Sequence, residues 1–238
     1  MNTHHKEFVR TIQQLTQKYR LWDIYSDFVH LAAISLYNSI HHDPEEEDRY
    51  LKIAARYTRD EMDDMCKLLS HTVHGLDNIG CDFLGEVFMD LELDNKWAGQ
   101  FFTPFSVSKM MSEMQLGEGV KNKINEHGYT TVSDPAVGAG STIIGFASSM
   151  LEQGINYQQC LHATVTDVDH LAFCMCYIQL SLLHVPALVI HGNTLTLQYS
   201  KVWRTPAHVL GNWDFKLASD KSSVKAKEEI ISTSEAAA

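Results

Sequence analysis

Long apolar runs are missing from this sequence: none comes near the roughly 18 consecutive apolar residues that a membrane-spanning helix needs, so no such helix is expected. The start, MNTHHKEFVR, lacks a basic segment followed by an apolar stretch and a small-residue cleavage site. Nothing there directs export, and the expectation is a cytoplasmic protein. Prolines number only five, and no two are adjacent. Cysteines are odd in number (Cys66, Cys81, Cys160, Cys174 and Cys176) and show no framework spacing. They are expected to be free thiols, used as small apolar groups. Thirteen histidines are present, but His4/His5 and His41/His42 are adjacent pairs, and His71/His74 has no matching cysteine or carboxylate pattern. No metal is expected on that spacing. Basic residues are also scarce. The net charge is −11, with 10 basic against 18 acidic residues up to position 98 and 9 against 12 beyond it. Neither half offers phosphates a cationic face, which argues against strong autonomous binding to DNA.

What remains is a chain of 238 residues with 45% apolar and 21% charged content, enough for one good core and a smaller helical unit. From about Lys6 to Leu93 the apolar residues Phe8, Ile12, Leu15, then Leu21, Ile24, Phe28, Leu31 and Ile34 recur at three- and four-residue steps. That pattern predicts an all-α unit over residues 1–98. HHDPEEED (41–48) interrupts it: Asp43-Pro44 starts a turn, and the acidic run suits the first turn of the next helix or a solvated bend. Periodicity stops at Trp97-Ala98-Gly99, where a second unit, residues 99–218, is expected to begin.

The second unit reads as alternating strands and helices. A helix near Ser106–Met114 and a polar connection lead to TTVSDP (130–135), a buried strand ending at Asp134. Ser141–Gln153 has helical apolar spacing, HATVTDV (162–168) reads as a strand, Asp169–His184 as an apolar helix, and ALVIHG (187–192) as a strand. AHVLG (207–211) is expected to be a fourth strand. Such alternation predicts an α/β fold with a parallel sheet. The segment from about Ser219, rich in Ser, Lys, Glu and Ala, is expected to be a flexible tail.

Within Asp134-Pro135-Ala136-Val137-Gly138-Ala139-Gly140-Ser141, glycines follow a strand and precede a helix, so a ligand can approach bare backbone and unpaired N–H groups. The third glycine of the dinucleotide fingerprint is missing, and many tight turns hold two glycines. Asp167 ends the next strand, 27 residues after Gly140, where a carboxylate can accept from both hydroxyls of a ribose; it can also serve as a helix cap before Asp169-His170.

The order Gly99-Gln100-Phe101-Phe102-Thr103-Pro104, then DPAVGAGS, then Thr166-Asp167-Val168-Asp169, then Gly192-Asn193-Thr194-Leu195 resembles adenine-N6 DNA methyltransferases. More closely, it resembles the modification subunits of type I restriction systems and their small phage or plasmid relatives, over about residues 80–195. The resemblance implies a Rossmann-like S-adenosylmethionine-dependent core behind an all-α domain. It implies that Gln100, Phe102, Thr103 and Pro104 close over the methionine part of the cofactor. Asp134, Pro135, Gly138 and Gly140 would wrap its methionine and ribose, and Asp167 would hold the ribose hydroxyls. Asn193 stands where the family has an aspartate that accepts from the adenine amino group. A structural reading stands beside the first of these: the aromatic GQFFTP segment can also anchor one unit to the other.

The family's catalytic strand end, Asn or Asp followed by Pro-Pro and an aromatic residue, is absent. By position the nearest segment is Asn212-Trp213-Asp214-Phe215, which keeps the first and last members. There Asn212 and the Trp213 carbonyl could accept the hydrogens of an amino group, and Phe215 could stack on an extruded base. The same four residues also read as a plain turn. The resemblance implies transfer of a methyl group to adenine N6 in DNA. The charge, the missing double proline and the few residues after Phe215 point instead to a non-catalytic binding or regulatory protein of a restriction or anti-restriction system. Such a protein would work with a larger methyltransferase or restriction subunit, or with itself. Methylation of a small molecule or a protein by the same cofactor stays open as well.

Overall fold

A computed structural model describes residues 3–77, 79–93 and 102–219. Five helices come first: α1 (Thr3–Leu15), α2 (Leu21–His41), α3 (Pro44–Ala54), α4 (Arg59–Leu76) and α5 (Phe83–Asp90). Their starts follow local chemistry. Asp43 accepts from the Glu45 and Glu46 N–H groups with Pro44 in the first turn, and Thr58 with Glu61 forms a reciprocal capping box. Asp82 caps α5 through the Gly85 N–H. The solvated-bend reading of HHDPEEED thus resolves into a helix start.

The second unit contains α6 (Phe105–Gln115), α7 (Glu118–His127), β1 (Thr130–Asp134), α8 (Ser141–Glu152), α9 (Tyr157–Cys160), β2 (Leu161–Asp167), α10 (His170–Leu182), β3 (Ala187–Asn193), β4 (Gln198–Arg204) and α11 (Pro206–Leu210). The four strands form one sheet in the order β1-β2-β3-β4. β1, β2 and β3 run parallel, and β4 turns back antiparallel to β3. The α/β class with strand, glycine loop, helix, strand, helix, strand is therefore as expected.

Two local expectations are corrected. AHVLG is not a strand: Thr205 accepts from the His208 N–H, Pro206 occupies the first turn, and the segment is helix α11. The fourth strand lies earlier, at Gln198–Arg204, where aromatic and β-branched residues pair with β3. The polar connection before β1 is also helical, as α7, which ends on Gly128 in the left-handed region at φ +81°.

Helical unit and sheet share one core, a single cluster of buried side chains that runs from Phe8 through Phe88 and Phe173 to Trp203. Helix α10 explains this. It carries apolar side chains all round and is buried from Leu171 to Ser181, with α2 on one side and the sheet on the other. Tyr25 of α2 donates to the Leu84 carbonyl of α5 and touches the Met175 sulfur of α10. Gly145 in α8 is required by packing, since a Cβ there would stand 3.0 Å from the Ser108 backbone of α6. Ser108 and Ser141 share a buried hydrogen bond across the same contact, 2.9 Å long. Among the described residues no helix is long and apolar enough to cross a membrane, and all five cysteines are free.

Candidate functional site

Parallel β1, β2 and β3 bring their carboxyl ends to one rim of the sheet, the usual place for a ligand in such folds. β1 delivers Asp134 and then the loop Pro135–Gly140. Gly138 and Gly140 take φ +60° and +106°, values that an L side chain resists, so glycine is needed at both. Gly140 caps α8 and leaves that helix start without a side-chain cap. The loop is pinned at several points. Asp134 accepts from the Ala136 N–H at 3.0 Å and from the Thr142 hydroxyl. The Val137 N–H donates to the Thr166 carbonyl of β2 at 3.0 Å. Thr194, just after β3, donates to the Pro135 carbonyl at 2.8 Å.

Asp167 ends β2 beside this loop. One carboxylate oxygen accepts the Gly138 N–H at 2.8 Å and the other accepts the Asp169 N–H at 2.9 Å. Burial raises its pKa, and the two N–H donors oppose that rise. Asp169 itself caps α10 through the Ala172 N–H at 2.8 Å. Asp167 is therefore not the helix cap, a place that Asp169 takes; it shapes the local turn and sits against the glycine loop.

The segment before α6 reaches the same loop. A Cβ at Gly138 would stand 2.9 Å from the Phe102 ring, so Phe102 lies directly on the glycine backbone. The ring is held edge-on by Phe88 at 5.1 Å between centroids. Phe102 and the exposed Thr103 and Pro104 also line a cleft of about 740 Å³ with Asp82, Glu86 and Lys109. Pro104 is the N-cap of α6 and not its first residue, with its carbonyl taken by the Val107 N–H. Gln100 lies outside the described residues.

Four expected members, Asn193, Asn212, Trp213 and Phe215, are placed otherwise. Asn193 ends β3 at the same rim, but its side-chain oxygen accepts the Leu195 and Thr196 N–H groups at 2.9 and 3.1 Å, closing its own turn. Asn212, Trp213 and Phe215 are at the other end of the sheet. Because β4 runs antiparallel, Arg204 pairs with Leu188 near the start of β3, and the chain continues from there. Trp213 is 1% exposed, against Tyr129 before β1 and His162 at the start of β2. His162 and Asp167 are five residues apart along β2, so the two ends are separated by roughly 16 Å. Asn212, at φ +52°, accepts the Lys216 N–H, and Asp214 accepts from Arg204 Nε at 3.0 Å. Phe215 is exposed. The structure brings Phe102, Asp134, Gly138, Gly140 and Asp167 together and leaves Asn212–Phe215 apart from them.

One positioning residue escaped the sequence. Gln179 of α10 is fully buried, and its amide donates to Asp82 at 2.7 Å and to the Ala139 carbonyl at 2.8 Å, while its oxygen accepts the Leu84 N–H at 3.1 Å. It ties the glycine loop to the start of α5. A glutamine in an apolar helical run was its one visible signal.

The family model described as N-6 DNA Methylase matches residues 85–236, well over half of the chain. This chain belongs to the N-6 DNA methylase family. The matched span contains the FTP segment, the glycine loop, Asp167 and Asn193. Among curated proteins none matches it. A Listeria monocytogenes protein described as a class I S-adenosylmethionine-dependent methyltransferase is similar in structure, with a TM-score of 0.47 and 15% identity over 79% of this chain. The chain spans about half the length of that protein, 52%.

Proposed function

We propose that the chain holds S-adenosylmethionine at the carboxyl ends of β1, β2 and β3, and serves adenine-N6 methylation of DNA in the cytoplasm together with a partner subunit. The observation that carries this reading is the meeting of Gly138, Asp167 and Phe102 at one rim of the parallel sheet. The residues fit such a cofactor. Positive-φ glycines give a nucleoside close access to main chain, and a carboxylate that has spent one lone-pair direction on each oxygen keeps others for ribose hydroxyls. Phe102 offers a ring face, Thr103 an exposed hydroxyl, and the start of α8 a set of N–H donors for a carboxylate. When bound, the cofactor supplies an electrophilic methyl group on a sulfonium.

A partner is part of this reading for three reasons. The segment that position assigns to the acceptors of adenine methylation, Asn212–Phe215, sits at the far end of the sheet from the rim. The net charge of −11 gives no cationic path for DNA. Finally, β1 is an edge strand, and beside it Val107, Met110, Met111 and Met114 are exposed at helical spacing on α6. A larger methyltransferase or restriction subunit, or a second copy, would meet all three needs.

Calorimetric titration with S-adenosylmethionine tests the cofactor clause: the wild type binds, and Asp167→Ala and Gly138→Val lose binding. A wild type that does not bind overturns it. Methyl incorporation into adenine-rich DNA tests the second clause. No incorporation by the chain alone, with cofactor binding intact, supports the partner reading. Incorporation by a strict monomer, lost in Asn212→Ala, would favour autonomous transfer at Asn212, Trp213 and Phe215 instead.

A further inference from the structure

Where α2 and α10 meet, a group of side chains from the two helices comes together. His30 Nε2 lies 3.0 Å from His170 Nδ1, and the Cys174 sulfur lies 3.6 Å from the same nitrogen. All three donor atoms fall within 4.8 Å of one another. His30 and His170 are half-buried, and Cys174 is buried. We propose that His30, His170 and Cys174 form a three-ligand site for a thiophilic divalent metal ion, zinc by its ligand chemistry, with a fourth position open to water.

The donor geometry supports this. Tetrahedral zinc with bonds of about 2.05 Å to nitrogen and 2.3 Å to sulfur sets its ligand atoms roughly 3.3 Å (N to N) and 3.6 Å (N to S) apart. The observed 3.0 and 3.6 Å need only a few tenths of an ångström of adjustment. Spacing within the helix also helps, since His170 and Cys174 are i and i+4 on α10 and face the same way. His30 is already oriented. Its Nδ1 lies 2.7 Å from the Ser26 carbonyl, which can only accept, so Nδ1 carries the proton and the Nε2 lone pair points toward His170.

The surrounding charges have been weighed as well. Arg49 donates to His170 Nε2 at 3.2 Å, and Lys201 lies near on β4; both oppose a cation. Glu46 offsets them. It is 4% exposed, pairs with Lys201 through one oxygen, and leaves its other oxygen without a hydrogen bond, 3.9 Å from Arg49. With a metal on Nδ1, His170 Nε2 becomes a donor, and a small swing carries Arg49 from His170 to that free carboxylate oxygen. On metal binding the Cys174 S–H proton leaves to solvent, neutral His170 exchanges its Nδ1 proton for one on Nε2, and two nitrogens and a thiolate each give an electron pair to the ion. His191 is close to His170 but is not a ligand, since its nitrogens are engaged by Ser200 and the Val168 carbonyl.

The test is titration of the metal-stripped full chain with cobalt(II), followed by absorbance and by thermal unfolding. The expected result is one equivalent bound with a thiolate-to-cobalt charge-transfer band, bleached by zinc, and a melting temperature that rises with metal. Cys174→Ser should abolish the band and weaken binding more than tenfold, and His30→Ala should weaken binding comparably while leaving the chain folded. A His71→Ala chain, which alters the separate group where His4 of α1 lies against His71 and His74 of α4, should keep the band. Absence of a charge-transfer band in the wild type, or a band that survives Cys174→Ser, overturns the proposal. Should Cys174→Ser fail to fold, unchanged affinity in His30→Ala overturns it.

Discussion

Gln179→Met removes three hydrogen bonds from the centre of the molecule while nearly preserving side-chain volume. The Leu84 N–H and the Ala139 carbonyl then lose their partner, whereas Asp82 keeps the Gly85 N–H. At about 1–3 kcal/mol for each buried group left unsatisfied, the expected loss is about 4 kcal/mol. For a chain of this size that corresponds to a fall in melting temperature of about 8–16 °C. Asp82 sets the pH dependence of the loss. Burial already raises its pKa, against the pull of Gln179 and the Gly85 N–H, so removing Gln179 raises it further. A raised carboxyl binds more protons folded than unfolded above its ordinary pKa, and its contribution to stability falls as pH rises through that window. The deficit of Gln179→Met is therefore expected to be smaller at pH 4 than at pH 7. Urea unfolding at both pH values measures it, and S-adenosylmethionine titration should show weaker binding, because Ala139 belongs to the glycine loop. A variant within 1 kcal/mol of wild type at pH 7, with an unchanged m-value, would refute this account of Gln179.

Gly138→Ala combines a positive φ with a Cβ 2.9 Å from Phe102, and is expected to cost about 1–3 kcal/mol. Adding Phe102→Ala should return part of that, and strictly additive losses in the double-mutant cycle would show that the ring is not what Gly138 must clear. Trp213→Ala should cost about 3–5 kcal/mol, as for other buried aromatic residues. It should leave the S-adenosylmethionine Kd within about twofold at a temperature where the variant is folded, and a tenfold loss would place Trp213 in the cofactor site after all. Burial, with His208 nearby, holds His162 down at about pKa 4. The unfolded chain therefore takes up the extra proton first, and stability falls as pH drops from about 6.5 toward 4, by about 1.4 kcal/mol per pH unit. His162→Gln should flatten that limb of the urea-midpoint curve, and an unchanged slope would count against a buried neutral imidazole.

The signals that were legible from the sequence are local ones. A glycine pair after a β-branched strand fixes its own turn, and an acid before an apolar helix caps it, so β1, β2, β3, α8 and α10 could be read nearly to the residue. AHVLG misled because its apolar run is too short for periodicity to separate helix from strand. The deciding contacts, Thr205 beneath the His208 N–H and Pro206 in the first turn, are cap chemistry and not hydropathy. Gln179 was hidden for a different reason: its three partners, Asp82, Leu84 and Ala139, are distant in sequence and adjacent only once α5 and the loop have packed on α10.

The placement of Asn212–Phe215 shows how one turn decides which end of a sheet a segment reaches. Had the strand after β3 run parallel, the residues after it would have emerged at the rim beside Gly138 and Asp167. It runs antiparallel because only residues 194–197 join it to β3, and Asn193 closes that turn on Leu195 and Thr196 with its own side-chain oxygen. A four-residue turn cannot carry the chain back along the length of β3, and parallel pairing needs a crossover of a dozen or more residues. The short turn thus sends Trp213 to the opposite end, and Asn193 spends its acceptor on closing it. In Asn193→Ala the turn loses both hydrogen bonds, while the paired register of β3 and β4 still holds the strand direction. The expected result is a loss of about 1–2 kcal/mol in stability with the Trp213 fluorescence of the buried state unchanged. A shift of that emission to an exposed indole would mean that the turn, and not the strand pairing, holds the far end in place.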